Sequence, residues 1–462
     1  MASLLLNGGS INSAESVFDR LIPAEKDAYS VLATGFVTDD SHPMHAGYFR
    51  KYDITLRMFF IPELGEAALE FEYEEDGKTS TDKYFVRRGK VFQVDEKGEE
   101  KKAEDFGDLS WATIAGLHPE IVAGAISDRR ENLEPDHADG FLFAWNDDLW
   151  SVAMDKKTGQ INSLHRRVHH DVHGDGTENI HFEGRVPGES NNHPASVSVN
   201  LAGRETAHFD FGAAVRGAGY TFPAGERYFD DNRFITENEI KFIELAPNIF
   251  STELASINTR VFVAEFIDFL IVLEGAYNSR NCDKIARKVQ ERFNKPVKYF
   301  AFSHLHGQYI GGTRSWVEQG ATIIVPPTTV KLVEEMVNTP SDLEPDALSR
   351  NPKPLNITTA KEGRRIDDAV NALEIYNVES EHTDEYFLFY FPRQKVLLTG
   401  DLLFYRPAQT PSIKGRSVKL CETVQKLGLD VEKYVCTWPL IGYDTKNIVT
   451  KAEMQDACAV SK

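Results

Sequence analysis

Two histidines one residue apart, His304 and His306, follow the apolar run Val297-Lys298-Tyr299-Phe300-Ala301-Phe302 and precede Gly307 and the pair Gly311-Gly312. The run reads as a buried strand, which puts both rings at its carboxyl end, where open α/β sheets gather ligand-binding loops. Imidazoles placed there either bind a metal ion or hydrogen-bond at the strand end. A second stretch bears on the choice. Leu373-Glu374-Ile375-Tyr376 leads into Glu381-His382-Thr383-Asp384, and residues 386–391 and 395–399 flank Pro392-Arg393-Gln394 before Gly400-Asp401. This reads as a hairpin whose tip lies midway between His382 and Asp401, so antiparallel pairing sets the two side by side at its open end. Asp401 alone reads equally well as a turn or capping residue. Beside His382 it becomes a candidate ligand, together with His304 and His306.

The elements carrying these residues belong to a C-terminal half in which strands alternate with helices. Residues 240–250, 261–265 and 269–273 read as strands and 282–293 as a helix; a helix over 313–319, a strand at 322–325 and a helix through Val330, Leu332, Val333 and Met336 follow the histidines. That rhythm implies sheets layered by helices. Residues 339–364, with four prolines, read as a long loop of the kind that covers a site.

The N-terminal half reads differently. Leu69, Phe71 and Tyr73 alternate with glutamates, Asp76-Gly77 marks a hairpin, and strands are expected at 83–86, 91–94, 141–145 and 150–154. Residues 108–126 read as one helix that Pro119 kinks or divides, and a short amphipathic helix is expected around Val17, Phe18, Leu21 and Ile22. His165, His169, His170, His173 and His181 crowd around Gly174-Asp175-Gly176. Successive strand residues face opposite ways, which offers no convergent ligand set, so this tract is expected to be a solvated hairpin and not a metal site. The Gly-, Pro-, Asn- and Asp-rich stretch 187–235 places the domain boundary at its end, giving a β-rich domain over 1–236 and a second domain over 237–462.

The 51 basic and 71 acidic residues leave a net charge of -20, which repels phosphate backbones and anionic membranes, so no nucleic-acid partner is expected. No apolar run is long enough to span a bilayer. Cys282, Cys421, Cys436 and Cys458 are far apart and form no Cys-x-x-Cys pair, so they read as reduced thiols. Leu4-Leu5-Leu6 lacks the basic region of a complete signal peptide, and a cytoplasmic location is expected; a secreted or periplasmic chain whose leader had been removed reads the same. The expected partner is a small-molecule substrate, with homo-oligomerisation left open.

Residues 237–460 resemble the metallo-β-lactamase fold superfamily of metal-dependent hydrolases. The resemblance is carried by Ser303-His304-Leu305-His306, by Gly311-Gly312 with the segment 313–321 after it, by Glu381-His382-Thr383-Asp384 and by Leu398-Thr399-Gly400-Asp401. It implies an αββα sandwich preceded by a mainly antiparallel β domain. That first domain, with the turn 155–159 and strands ending in Phe182-Glu183-Gly184-Arg185, is similar to the lipoprotein-carrier-like domains that precede some members. The superfamily's first motif reads His-x-His-x-Asp-His; this chain has Gln308 for the Asp and Tyr309 for the last His, and Trp438 falls near the superfamily's final histidine. All three residues dedicated to a second ion are replaced. What remains implies a single ion, zinc, on His304, His306, His382 and Asp401.

Three imidazoles and an open position suffice for zinc to make an acidic water, so hydrolysis of an ester, thioester, lactone or amide of a small molecule is the expected reaction. Gln308 can hydrogen-bond but cannot titrate, leaving Asp401 to take up proton transfer and Tyr309 to donate to a substrate oxygen. Two alternatives stand beside this. Two histidines and Asp401 match the facial triad of non-haem Fe(II) oxygenases, and the three replaced ligands match a member that binds a ligand without catalysis.

Overall fold

The structure is a computed structural model. It describes residues 28–39 and 49–460, apart from 63–64, 76, 88, 95–99, 128–133, 136–139, 146–147, 156, 171, 190–192, 218–219, 221–233, 362, 408–412, 414 and 442. The helix expected around Val17 and Ile22 lies outside the described residues. Two compact units emerge, one of Met1–Asp39, Lys51–Val168 and Gly176–Asp231, the other of Asp40–Arg50, His169–Asp175 and Asn232–Lys462.

The first unit is built on a 14-stranded sheet in which every pairing with a known register is antiparallel. Arg50–Ile61 shows why: Ile54, Leu56, Met58 and Phe60 are buried while the residues between them are not, the period-2 pattern of a sheet with one face on a core. The expected hairpin forms, with Glu66–Glu75 against Lys78–Arg87 and Gly77 at φ +72 in the turn. Pro119 does divide the expected helix. Trp111–Ala115, capped by the Ser110 side chain, is followed by Pro119–Ser127, where a first-turn proline costs no hydrogen bond. The histidine-rich tract is a hairpin of Ile161–His170 and Gly174–Glu183, with His169 Nδ1 2.8 Å from Asp175 Oδ1.

A buried histidine pair lies in this unit. The Glu120 N–H donates to His118 Nδ1 (3.3 Å), His118 Nε2 meets His193 Nδ1 (3.2 Å), and His193 Nε2 donates to the Gly212 carbonyl (2.8 Å). With both rings neutral every link is satisfied, and burial holds the His118 imidazole well below its usual range, His193 adding to the effect.

The second unit has two mixed sheets. One runs Phe242–Ala246, Ile249–Leu254, Thr259–Glu265, Leu270–Leu273, Val297–Ala301, Thr322–Val325, Asn356–Thr359; the other runs Arg364–Asp367, Ala372–Val378, Tyr386–Phe391, Val396–Leu398, Lys433–Val435, Ile448–Thr450. Their inner faces share one core, in which Phe262, Leu273 and Ile324 meet Ile375, Phe387 and Phe389. The outer face of the first sheet packs on the helices Ser279–Phe293, Thr313–Glu318 and Val330–Asn338, and that of the second on Arg416–Leu427 and Lys451–Val460. Strands buried on both faces read as continuous apolar runs, as all six residues of Tyr386–Phe391 do. The expected αββα layering is present.

Three expectations change. Residues 240–250 are two strands, because the chain turns at Pro247-Asn248 with Asn248 at φ +63. Residues 339–364 are not a structureless loop: Asp346 caps the helix Ala347–Arg350 and receives Arg314 Nε at 2.6 Å, and Asn356–Thr359 extends the first sheet in parallel with Thr322–Val325. The cysteines are not all reduced thiols, since Cys421 and Cys458 form a disulfide while Cys282 and Cys436 are free and buried. The two bonded residues lie on helices that pack over the same sheet face, a neighbourhood no sequence spacing reveals. One ground for a cytoplasmic location is thereby removed. Among the described residues no helix is long and apolar enough to cross a membrane.

Candidate metal centre

The site begins at the carboxyl ends of two adjacent parallel strands, Leu270–Leu273 and Val297–Ala301. The second runs into Ser303, whose N–H donates to Glu274 Oε2 (2.9 Å) and whose carbonyl accepts from Phe387 N (2.6 Å), tying the histidine strand to the other sheet. Ser303 Oγ lies 2.9 Å from His304 Nδ1, and the Tyr386 ring stacks on the His304 ring at 4.6 Å. The imidazole is therefore held on one nitrogen and one face. Its other nitrogen, Nε2, is buried without a hydrogen bond, 3.6 Å from Asp401 Oδ2.

His382 Nε2 stands 3.2 Å from the same carboxylate oxygen. Ligand atoms of His304, His382 and Asp401 all lie within 4.8 Å of one another, and among the described residues no other such group of three forms. His306 falls outside it, with its ring centroid 5.7 Å from that of His304 and 6.5 Å from that of His382. Extending the pairing Phe389↔Leu398 outward brings Tyr386, not His382, level with Asp401. The Tyr386 hydroxyl donates to Asp401 Oδ1 (3.1 Å) and accepts from Asp401 N (2.9 Å). His382 reaches the carboxylate from the loop beyond the strand end.

Gly400 makes this approach possible. It sits at φ +58, and a Cβ there would lie 1.9 Å from the Tyr386 hydroxyl oxygen.

Burial pushes the Asp401 carboxyl up, but His304, His382 and Arg416 outweigh it and hold the group well below the usual carboxylate range. Burial likewise drives the His304 imidazole well below its usual value, against the pull of Asp401. A neutral imidazole beside an ionised carboxylate, with a buried nitrogen lacking any hydrogen bond, is the donor set a divalent cation needs. These residues fit a metal ion.

The three replaced positions are also placed. Gln308 is buried and its Oε1 accepts from the Tyr277 hydroxyl (2.9 Å). The Tyr309 ring lies 4.8 Å from that of His304, and its buried hydroxyl makes no hydrogen bond. Trp438 is half-buried and packs edge-on against Phe404 (5.7 Å) and Tyr443 (5.0 Å). Two mixed sheets layered by helices, with a His/His/Asp group where strand ends converge, decide the architecture. The second unit has the αββα layering of a metallo-β-lactamase-like fold.

No family model matches the chain, and no curated protein matches it. Solved structures to which it is similar include a metallo-beta-lactamase from Pontibacter korlensis, at 13% identity and a TM-score of 0.35, covering 48% of this chain and 97% of that one. A metallo beta lactamase from Hirschia baltica is 14% identical with a TM-score of 0.34, over 48% of this chain and 96% of that one.

Three residues of the second unit join the site although no motif in the sequence marks them. Glu274 is fully buried; burial pushes its carboxyl up to about 8, against hydrogen bonds from Ser303. Its place after an apolar run, at the same sheet edge as the histidines, is a signal that could have found it. Tyr386 begins the apolar strand Tyr386–Phe391, where a core role is the pattern's plain meaning. Arg416 Nη1 lies 3.4 Å from Asp401 Oδ2, with its guanidinium 4.6 Å from the Phe404 ring. Ser417, which donates to the Leu402 carbonyl and accepts from Phe404 N, fixes the helix start that presents it. Nothing in the local sequence marks Arg416.

Proposed function

We propose that the metallo-β-lactamase-like domain is a metal-dependent hydrolase working with a single ion on an ester, thioester, lactone or amide of a small molecule. The observation that carries this reading is the convergence of His304 Nε2, His382 Nε2 and Asp401 Oδ2 within 4.8 Å. His306, whose ring centroid lies 5.7 Å from that of His304, would supply the third imidazole of a zinc site with an open position. The ion supplies a Lewis acid and a water acidic near neutral pH.

The remaining roles fall to the chain itself. Ser303 and Tyr386 hold the His304 ring in one orientation, as outer partners of metal-ligating histidines do. Asp401 would ligate through Oδ2, and its carboxyl, held well below the usual range, orients the attacking water and does not serve as a strong base. Tyr309 donates its hydroxyl to a substrate oxygen, and Gln308, held by Tyr277, orients without titrating. Arg416 faces negative charge that develops on the substrate. Gln308, Tyr309 and Trp438 occupy the places of a second ion's ligands, so one ion is expected.

A second reading is favoured by the same tight group, which is two histidines and one carboxylate: the facial triad that holds Fe(II) in oxygenases. Elemental analysis of the full chain purified without added metal separates the two. One equivalent of zinc, with turnover in a panel of ester, thioester, lactone and amide substrates, supports the hydrolase; iron with oxygen uptake supports the oxygenase. Absence of any bound metal after incubation with either ion defeats both and leaves a ligand-binding protein.

A further inference from the structure

We infer that a cationic cleft in the metallo-β-lactamase-like domain, sharing no residue with the candidate metal centre, binds a small anion of more than one negative charge, a phosphoester or a polycarboxylate. The cleft encloses about 510 Å³, within the range of small-molecule sites. Arg280, Lys284 and Arg287 of the helix Ser279–Phe293 line one wall. Their spacing of four and three residues stacks them on one helix face, where like charges repel. Arg280 also stands in the first turn of that helix, which holds no acidic residue, so the helix dipole opposes it as well.

The protein supplies little to offset this. Arg287 meets Glu237 at 3.1 Å, and Lys288 draws on the same carboxylate at 3.8 Å. The Arg280 guanidinium lies 4.2 Å from the Phe234 ring, and Lys284 Nζ donates to the Ile235 carbonyl (2.6 Å). Among the described residues neither cation has a carboxylate within ion-pair distance. Burial, then Arg280 and Arg287, hold the Lys284 ammonium below its usual range.

The acidic groups of the cleft do not fill the gap. Asp346 is taken by Arg314 through both oxygens (2.6 and 3.2 Å), and Asp283 accepts from Ser315 Oγ (2.6 Å) and Ala347 N (3.0 Å) with Arg350 3.6 Å away. Glu344, at the exposed edge, leaves the balance positive. In a chain of net charge -20 such a concentration of positive charge in a concave site is the feature a multivalent anion recognises.

The test is calorimetric titration of the full chain with pyrophosphate and, separately, citrate, against potassium chloride at matched ionic strength. Saturable one-to-one binding is expected, weakened about tenfold or more in the double variant Arg280→Gln with Lys284→Gln. Arg287→Gln, which leaves Arg280 and Lys284 in place, is expected to weaken it several-fold. Binding should persist unchanged in His382→Ala, which separates this cleft from the candidate metal centre. Tighter binding of pyrophosphate assigns a phosphoester, tighter binding of citrate a polycarboxylate. Heats equal to those of the chloride control, equal affinity in the charge-neutralised variants, or loss of binding in His382→Ala would each overturn the inference.

Discussion

His382 Nε2 stands 3.2 Å from Asp401 Oδ2, although one residue precedes and the other follows the hairpin formed by Tyr386–Phe391 and Val396–Leu398. Two ligand-type groups at that distance are close enough to bind one cation. His382→Ala and Asp401→Ala should each weaken metal binding by about a hundredfold or more, measured by competition with a chromogenic chelator. His306→Ala should weaken it less, and Gln308→Ala should leave it unchanged. Wild-type affinity in His382→Ala would remove the basis of the site.

Arg416 competes for the same carboxylate. Its guanidinium nitrogen, 3.4 Å from Asp401 Oδ2, places a positive charge where a cation would also be attracted. Arg416→Met should therefore bind the metal about tenfold more tightly while turnover falls, a split that loss of folding would not produce. Weaker metal binding in the variant would mean that Arg416 acts by orienting Asp401 instead.

Gly400 and Gly428 both adopt left-handed backbone, at φ +58 and +65, but a Cβ at Gly428 meets nothing within 4 Å. Gly428→Ala should cost about 1 kcal/mol, the backbone contribution alone. Gly400→Ala should cost about 3 kcal/mol or more, because the Tyr386 hydroxyl must also move. Urea denaturation midpoints of the two variants measure the difference, and equal losses would show that Tyr386 yields freely.

The His118–His193 pair sets an acid limit on the first unit. The folded-state pKa of His118 lies below its unfolded value of about 6.5, so only the unfolded chain takes up this proton as pH falls. Its contribution to stability is complete above about pH 6.5 and declines below it, by about 1.4 kcal/mol per pH unit until the folded pKa is reached. His118→Gln should flatten that slope in pH-dependent unfolding of the first unit. An unchanged slope would assign the acid sensitivity elsewhere.

Alkylation under denaturing, non-reducing conditions should label two thiols, those of Cys282 and Cys436, and reduction should expose Cys421 and Cys458. Replacing both bonded cysteines by serine should lower stability by about 2 to 4 kcal/mol. Labelling of all four without reductant would show the pair to be open in solution.

Much of the architecture was legible in the chain because it rests on local patterns. Alternating burial in Arg50–Ile61 and continuous burial in Tyr386–Phe391 follow directly from the order of apolar residues. Pro119 cannot continue a helix from Ala115 but can begin one, so the helix divides there. Weaker patterns misled: the polar strand Asn356–Thr359 forms at a sheet edge with no apolar period to announce it, and so passed for loop.

By itself the sequence determined which strands lead to ligand-type side chains, since His304 and Asp401 each follow an apolar run and His382 follows the alternating strand Leu373-Glu374-Ile375-Tyr376. Only the tertiary structure decided who meets whom. The hairpin register, set by pairs such as Phe389↔Leu398, puts Tyr386 level with Asp401, while the packing of separate helices and strands brings Arg416 to Asp401 and Glu274 to Ser303 and joins Cys421 to Cys458. Those meetings depend on how sheets stack and helices lie across them. Such placement is settled by the summed burial of whole faces, and no local spacing encodes it.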